Sequence, residues 1–435
     1  MQLIVCCDGT WNDPEDRTHI HRICEAGRAT FPGGENVYYG RGVGLERGSR
    51  LTGGALGRGL SQNVREAYQW LVDRYTEGDE LYVFGFSRGA YTARSLAGFM
   101  NYAGLLQPAD AGETEDAYKV YRFRQQESLK SRFHDSAARA RSRQVRIRFL
   151  GVFDTVGALG VPIDWVKGIT EDLPHVNLQF HDTRLCGNVD VACHAIAIDE
   201  RRGPYEPTWW EAPEPGAAQP DKVLQVWFAG VHSDIGGGYA DDKSLAEVAL
   251  GWMLEQALDT GLDLTSMPGW PVKGDPAGAL HDSFSLGWRF IHRLPSVDPY
   301  RRPIGAAQRD ERRLPPVPGE MLHWSVVDRI QGEAATRLGG RAYAPPSLVQ
   351  NGALRQLDLP IFRDRAERRV REDRPATIDE GTPVILIDRS PSGARIRVEG
   401  ALPLLPQVRL QVDGEERRYE VRWRRGRELG LRVAG

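Results

Sequence analysis

Residues 82–94 read YVFGFSRGAYTAR. An apolar, β-rich run stops at a serine set between two glycines, and a helical pattern follows. Gly85-Phe86-Ser87-Arg88-Gly89 fits G-x-S-x-G, in which the serine occupies a strained turn from strand to helix. The glycines are needed because a Cβ at either flank collides with the neighbouring strand or helix. Such a turn exposes the hydroxyl at a helix N-terminus, where backbone N–H groups can stabilise an oxyanion. Ala90 and Ala93 are small enough for that helix to lie close on a sheet. The pentapeptide alone is weak evidence; the β run before it and the helix after it give it weight. The competing reading is an ordinary βα turn with a capping serine.

Outward from this turn, strand-like apolar runs alternate with helical patterns, the signature of an α/β protein with a mostly parallel sheet and helices on both faces. The strand candidates are LIVCC (3–7), ELYVFGF (80–86), VRIRFLGVF (145–153), VACHAIAI (191–198) and VLQVWFAGV (223–231); the clearest helices span 61–76, 88–101, 113–128 and 244–260. Each strand ends beside a polar residue: Asp8, Ser87, Asp154, Asp199 and His232. Open α/β sheets bind ligands at the carboxyl ends of their strands, so these five residues are expected at one crevice. Residues 265–350 are rich in Pro, Gly and Arg and read as excursions on the main domain. The expected organisation is a hydrolase domain over 1–350 with lid or insertion segments, a charged linker over 351–370, and a small all-β barrel over 371–435. In that last part, short strand-like runs recur between turn signals about every ten residues.

A serine nucleophile needs a base and an orienting acid. Of the ten histidines, His232 follows a late strand and opens the glycine-rich turn HSDIGGGY, which suits the Ser…Asp…His order of α/β-hydrolases. His194 lies inside a strand pattern and reads as a satisfied core histidine. His281, His292 and His323 have no supporting pattern. Asp154 and Asp199 end successive strands, and strand logic divides the acid role evenly between them. The oxyanion hole is expected from the backbone N–H of Arg88 and one from Gly9 or Thr10 in CCDGTWN.

The bulk properties exclude several classes. The net charge of −3 over 435 residues gives no global field for a nucleic-acid polymer. Five cysteines without C-x-x-C spacing suggest reduced thiols, neither a disulfide framework nor a zinc site. The N-terminus lacks a basic, apolar leader, and no apolar run is long enough to span a bilayer. The expectation is a chain made in the cytoplasm without a signal peptide, which leaves the cell only through a dedicated machine. VCCDGT resembles the D-x-D-G-T start of haloacid-dehalogenase phosphatases, but Cys6 replaces the nucleophilic aspartate. GRGVG and GGALGRG match no phosphate-binding loop. Calcium at the many rim aspartates, including Asp8, Asp13, Asp199, Asp234, Asp241 and Asp242, is possible in principle but not favoured over turn and cap chemistry. No cofactor is expected for catalysis.

DGTWN, GFSRGAYTAR, GVFDTVGA, HAIAIDERR and WFAGVHSDIGGGY occur in that order, and the set resembles the α/β-hydrolase domain of type VI secretion lipase effectors, first subgroup. HWSVVDRI and YAPPSL resemble that domain's end, so the match covers roughly residues 1–350. The resemblance implies a phospholipase of A type acting on membrane glycerophospholipids through Ser87, Asp154 and His232, and it favours Asp154 over Asp199. It also implies delivery by a type VI secretion spike or adaptor to the target cell envelope, and an immunity protein. Lid candidates are 100–143 and 160–185, and Trp165, Trp209 and Trp210 are candidates for lipid contact. Near the C-terminus, Asp388-Arg389-Ser390-Pro391-Ser392-Gly393 fits [D/N]-x-S-x-x-G, and Arg365 and Arg369 fit R-x-x-x-R. With the ending VRWRRGRELGLRV, this part resembles a PilZ domain, which implies cyclic di-GMP as a regulatory ligand held by Arg365, Arg369, Asp388, Ser390 and Gly393. The basic segment is interrupted by Glu367, Glu372 and Asp373, departing from that pattern. Two other readings stand beside these: a catalytically idle hydrolase fold used for binding or regulation, and an intracellular esterase on small acyl esters.

Overall fold

The hydrophobic runs pair into one parallel sheet. In the computed structural model, β1 (Gln2–Cys7), β2 (Val37–Gly40), β3 (Glu80–Phe86), β6 (Ile147–Phe153), β7 (Val189–Ala197), β8 (Lys222–Phe228), β9 (Glu320–His323) and β12 (Ile361–Phe362) lie in the order β12-β9-β8-β7-β6-β3-β1-β2. Every neighbouring pair in it is parallel. Two small antiparallel pairs lie outside it: β4 (Leu105–Leu106) with β5 (Ser142–Arg143), and β10 (Val349–Gln350) with β11 (Ala353–Leu354). The structure describes residues 1–433 apart from 10–15, 32, 43–52, 108, 123–140, 158–184, 212–221, 285–299, 313, 339–342, 351–352, 356–358, 364–369, 380, 391–392, 399–406, 413 and 426–427. It divides into two compact units, Met1–Phe362 and Arg363–Gly435.

The central strands are apolar at nearly every position because both sheet faces are covered, as parallel sheets require. On one face Leu3, Val5, Leu81, Val83, Ile147 and Val152 pack with helices α2 (Gly53–Arg74), α3 (Arg88–Ala103) and α4 (Ala111–Arg122). On the other, Ile4, Cys6, Tyr82, Phe84, Phe149 and Cys193 pack with α1 (His19–Thr30) and with the helix Ala246–Asp259. Each such Leu, Ile or Phe contributes about 1.5–3 kcal/mol by leaving water. The chain first moves from β1 outward to β2, then returns past β1 to β3. That reversal opens a crevice at the carboxyl ends of β1 and β3, the usual ligand position in such sheets. Asp8 and Ser87 stand at those two ends.

The strand and helix expectations agree with these elements to within a few residues, except at the start of α2; residues 123–128 of the helix expected over 113–128 lie outside the described residues. Three sheet strands escaped the sequence reading: β2, β9 and β12 are four, four and two residues long, too short to show a period. Residues 353–354 and 361–362, expected in a linker over 351–370, form β11 and β12 of the first unit. Of the lid candidates 100–143 and 160–185, residues 108, 123–140 and 160–184 fall outside the described residues. The rest of 100–143 includes α4, which buries Thr114, Ala117, Tyr118, Val120 and Tyr121.

The second unit is a closed antiparallel barrel of β13 (Val370–Ile378), β14 (Thr382–Ser390), β15 (Gly393–Val398), β16 (Gln407–Val412), β17 (Glu415–Arg425) and β18 (Glu428–Val433), in the order β13-β14-β15-β18-β17-β16. Its strands alternate: Val408, Leu410 and Val412 are buried, while Gln407, Arg409 and Gln411 are exposed. Strand β13 comes from the charged run VREDRPATI, whose charges hid it. Its Ala376 and Ile378 complete the barrel core with Leu386, Ile396 and Leu431.

Gly89 allows α3 to sit on the end of β1: a Cβ there would overlap the carbonyl oxygens of Cys7 and Asp8. Gly89→Ala is expected to destabilise the protein by about 1–3 kcal/mol, read as a lower urea midpoint at unchanged slope.

Candidate active site

Three loops bring Ser87, His232 and Asp154 together from positions as far as 145 residues apart. Strand β3 ends at Phe86, and Ser87 turns the chain at φ 57°, ψ −122° before α3 begins at Arg88. A non-glycine residue there is strained by about 1–3 kcal/mol. The turn is held by the Ser87 N–H, which donates to the Phe153 carbonyl at 3.0 Å. A Cβ on Gly85 would lie 2.5 Å from the Ala90 Cα, so the flanking glycines are steric necessities.

His232 begins α5 (His232–Gly236) just after β8. The Asp234 carboxylate caps this short helix by accepting the Val231 N–H at 2.9 Å, and Gly237 closes it in the left-handed region at φ 73°. A Cβ on Gly236 would overlap the Phe86 ring, so the glycines let α5 lie against the end of β3. The imidazole sits between the Phe86 ring at 4.8 Å and the edge of Tyr205 at 4.9 Å.

Asp154 follows β6 in the left-handed region at φ 38°. Its turn is pinned by buried polar groups. The Asp154 N–H donates to the Ala195 carbonyl at 2.7 Å, and the Thr155 N–H donates to His194 Nε2 at 3.1 Å. His194 Nδ1 faces Gln225 Oε1 at 3.4 Å. Burial lowers His194 to about 3, so it serves as the neutral core histidine its strand position suggested.

His232 Nε2 lies 2.8 Å from Ser87 Oγ, and Nδ1 lies 2.6 Å from Asp154 Oδ2. The carboxylate can only accept, so Nδ1 carries the proton and Nε2 is free to receive one from the serine. Burial pushes the imidazole below its ordinary value, with the Asp154 hydrogen bond opposing in part. Burial also acts to raise Asp154, but the Arg302 guanidinium and His232 outweigh it and hold the carboxyl well below the usual range. At neutral pH the set is a neutral base beside an anion, able to draw a proton from an alcohol.

Arg302 has no counterpart in the sequence reading. It is fully buried, and its Nη1 and Nη2 donate to Asp154 Oδ1 at 2.6 Å and Oδ2 at 3.0 Å. Nη1 also donates to the Ala197 carbonyl at 2.8 Å. Glu200, equally buried, accepts the backbone N–H of His232 at 3.2 Å and grips Arg202 with both oxygens. Arg202 lies over the Tyr205 ring at 3.6 Å. DERR (199–202) was a visible motif, but nothing in YRRPI marked Arg302.

The other candidates sit differently. Asp199 does not pair with His232; it accepts the Gly230 N–H at 2.8 Å and the Tyr343 hydroxyl at 2.7 Å, and lines a separate cavity of about 820 Å³ with His281, Arg329 and Tyr343. The Arg88 N–H heads α3 beside Ser87, where helix N–H groups have no acceptor within the helix. The Gly9 N–H donates to Asp8 Oδ1 at 2.7 Å, so here it is engaged; Thr10 and Asp13 fall outside the described residues. Trp210 is buried in the core, whereas Trp209 is partly buried and packs on Trp227 at 5.1 Å with Arg309 over its ring at 4.1 Å. Trp165, His292, Arg365 and Arg369 lie outside the described residues. In the second unit, Asp388 and Ser390 lie near the end of β14, and Ser390 pairs directly with Gly393.

Burial pushes Asp199 up from 3.8 to about 6. The native state then holds that proton more tightly than the unfolded chain, so stability is lost as pH rises from about 4 to about 6. Asp199→Asn removes this dependence. Its unfolding free energy, measured in urea at pH 4.5 and pH 7.5, should fall less than that of the wild type across the interval.

Similarity to known proteins extends over part of the chain. A Saccharomyces cerevisiae protein, itself uncharacterized, is 27% identical over 229 residues, which cover 47% of this chain and 32% of the yeast protein. A crystal structure of an uncharacterized Pseudomonas aeruginosa protein is similar at a TM-score of 0.34 and 17% identity, over 60% of this chain and 46% of that one. A structure of the Tle1 effector bound to the VgrG spike of the type 6 secretion system is similar at 0.27 and 17%, over 55% and 51%. The chain thus spans about a third of the yeast relative and about half of the two solved proteins. Residues 1–256 match the family described as T6SS phospholipase effector, Tle1-like, catalytic domain. That stretch is more than half of the chain and contains Ser87, Asp154 and His232, and the chain belongs to this family.

Proposed function

We propose that the protein is a serine hydrolase that releases fatty acids from membrane glycerophospholipids, a phospholipase of A type, and that it acts as an antibacterial type VI secretion effector. The strongest support is the unbroken hydrogen-bond chain Ser87–His232–Asp154, at 2.8 and 2.6 Å, in a member of a phospholipase effector family. His232 Nε2 takes the Ser87 proton as Oγ attacks the acyl carbonyl. The tetrahedral oxyanion is met by the Arg88 N–H at the head of α3. His232 then returns the proton to the departing lysophospholipid oxygen, leaving an acyl-serine. Water, deprotonated by the same imidazole, attacks this ester; the fatty acid leaves and Ser87 regains its proton. Asp154 fixes the imidazole tautomer and stabilises the transient imidazolium. In this reading the partners are a phospholipid membrane, a type VI spike or adaptor that carries the protein to the target cell envelope, and an immunity protein in the producing cell.

The C-terminal barrel is proposed to bind cyclic di-GMP as a PilZ-like domain. A six-stranded closed barrel and the Asp388–Gly393 turn motif between β14 and β15 support this reading. Arg365 and Arg369 would clamp the phosphates, and arginine is suited to both bidentate phosphate contact and stacking on guanine.

Fatty-acid release from phospholipid vesicles should drop on the order of 10³–10⁶-fold in Ser87→Ala, and a fluorophosphonate should label Ser87 in the wild type. A variant keeping more than a tenth of wild-type activity excludes Ser87 as nucleophile. An unlabelled, inactive wild type favours an idle binding fold, and hydrolysis of short soluble esters alone favours an intracellular esterase. For the barrel, calorimetric titration with cyclic di-GMP should give heat at tens of micromolar; a folded protein giving none is no receptor.

A further inference from the structure

The environment of Asp154 has an unusual charge balance. Charged groups from three parts of the chain gather around Asp154 and His232. Asp154 comes from the loop after β6, Glu200 and Arg202 from the loop after β7, and Arg302 from the segment before helix 306–311. The two acids are each gripped by an arginine of their own. Arg302 donates to both oxygens of Asp154, and Arg202 donates to both oxygens of Glu200. A fifth charged group, Asp234 on α5, is turned towards His281 at 2.5 Å. The imidazole therefore meets one carboxylate–guanidinium pair directly, Asp154 with Arg302, while the second, Glu200 with Arg202, holds the backbone N–H of His232 and acts on the ring only through its field. A buried carboxylate left alone beside a histidine would draw the pair toward the ionic, protonated state; a compensated one aligns it without that pull.

Geometry gives Arg302 a second task. Asp154 sits at φ 38°, a backbone conformation that persists only where the surroundings over-determine it. Three partners fix its carboxylate: the Ala197 N–H at 3.0 Å, Arg302, and His232. Only Arg302 reaches both oxygens, and a planar fork sets the carboxylate plane in a way that a point charge cannot. Arg302 also donates to the Ala197 and Tyr205 carbonyls, tying the acid loop to the residue whose ring edge meets His232. Arg302 lies beyond the stretch 1–256 that carries the three proposed catalytic residues.

We propose that Arg302 is a positioning residue of this site. It holds Asp154 as an oriented anion while cancelling its charge, so that the Asp154–His232 contact works as an aligning hydrogen bond and His232 stays a neutral base under acidic conditions. The inference rests on the hydrolase reading for its kinetic consequence, and on geometry alone for the state of the imidazole. The direction fits the burial-lowered His232. A base with a lowered pKa keeps its activity as pH falls below 6.5, and loses it only when the imidazole at last takes a proton.

The test uses the full chain with Arg302→Gln and Arg302→Lys, their folding checked by thermal unfolding, and a short soluble ester as substrate. For Arg302→Gln, kcat should fall on the order of 10²-fold with KM little changed. The acid limb of kcat/KM should move up by about one unit or more, because the unneutralised pair binds a proton more readily. Arg302→Lys should bring the limb back towards the wild-type position, through its charge, while kcat stays low for want of the fork. A folded Arg302→Gln protein with the wild-type limb and kcat overturns the proposal. If neither variant folds, ¹⁵N spectra of the wild-type imidazoles decide. A neutral His232 protonated at Nδ1 at pH 6, together with Arg302 Nη signals held in slow exchange by the fork on Asp154, upholds it; an imidazolium at that pH, or freely rotating Arg302 Nη groups, overturns it. These spectra need no turnover, so failure of the hydrolase reading, seen with Ser87→Ala, remains separate from failure of this one.

Discussion

A carboxylate cut off from water is the point on which the rest of the first unit depends. An ionised group at that depth persists only when paired and hydrogen-bonded on every side. Asp154 meets the demand with one backbone N–H, one imidazole and one two-pronged guanidinium. Those partners come from three different parts of the chain. The need to keep this one charge solvated by protein groups therefore draws β6, the turn after β8 and the segment around residue 302 to a common place.

The serine end of the site obeys a different constraint, steric rather than electrostatic. Ser87 occupies a backbone conformation that costs energy, and the surrounding close packing holds it there. Gly85 and Gly89 remove the side chains that would keep α3 away from β1 and β3, while Gly236 removes the one that would keep α5 away from Phe86. A tight steric cradle for the hydroxyl and a dense polar cradle for the acid meet at the imidazole of His232, which is wedged between two aromatic rings. The result is a hydrogen-bonded chain whose three members have little freedom to drift apart, the kind of pre-organisation that the proposed acyl transfer needs.

The layout also bears on what counts as the catalytic unit. Residues 1–256 match the family, yet the sheet is completed by β9 and β12, and the acid is clamped by Arg302. Glu320, on β9, is itself buried against Arg309, with Trp227 of β8 donating to it at 2.8 Å. The Arg-rich stretch after residue 265, which reads from its composition as surface excursions, places Arg302, Arg309 and Arg329 in the interior. A charged residue gives no sign in sequence of burial, because burial depends on a partner that only folding brings near.

What the sequence determined by itself is everything that local chemistry controls. Unbroken apolar runs must be buried on both faces, which meant a parallel sheet. Small residues around Ser87 meant a tight strand-to-helix turn, and a histidine opening a glycine-rich turn after a late strand meant a side chain at the sheet's carboxyl edge. Tertiary structure decided the rest. It chose between Asp154 and Asp199, two strand-end carboxylates with equal local credentials: one strand's displacement along the sheet edge set one against His232 and the other against Gly230 and Tyr343. It engaged the Gly9 N–H with Asp8, and it buried Trp210. It also recruited Arg302, 148 residues from the acid it holds. Local patterns specify which backbone forms; the pairing of distant charges follows from the exclusion of water from the assembled core, and no single stretch of chain encodes that.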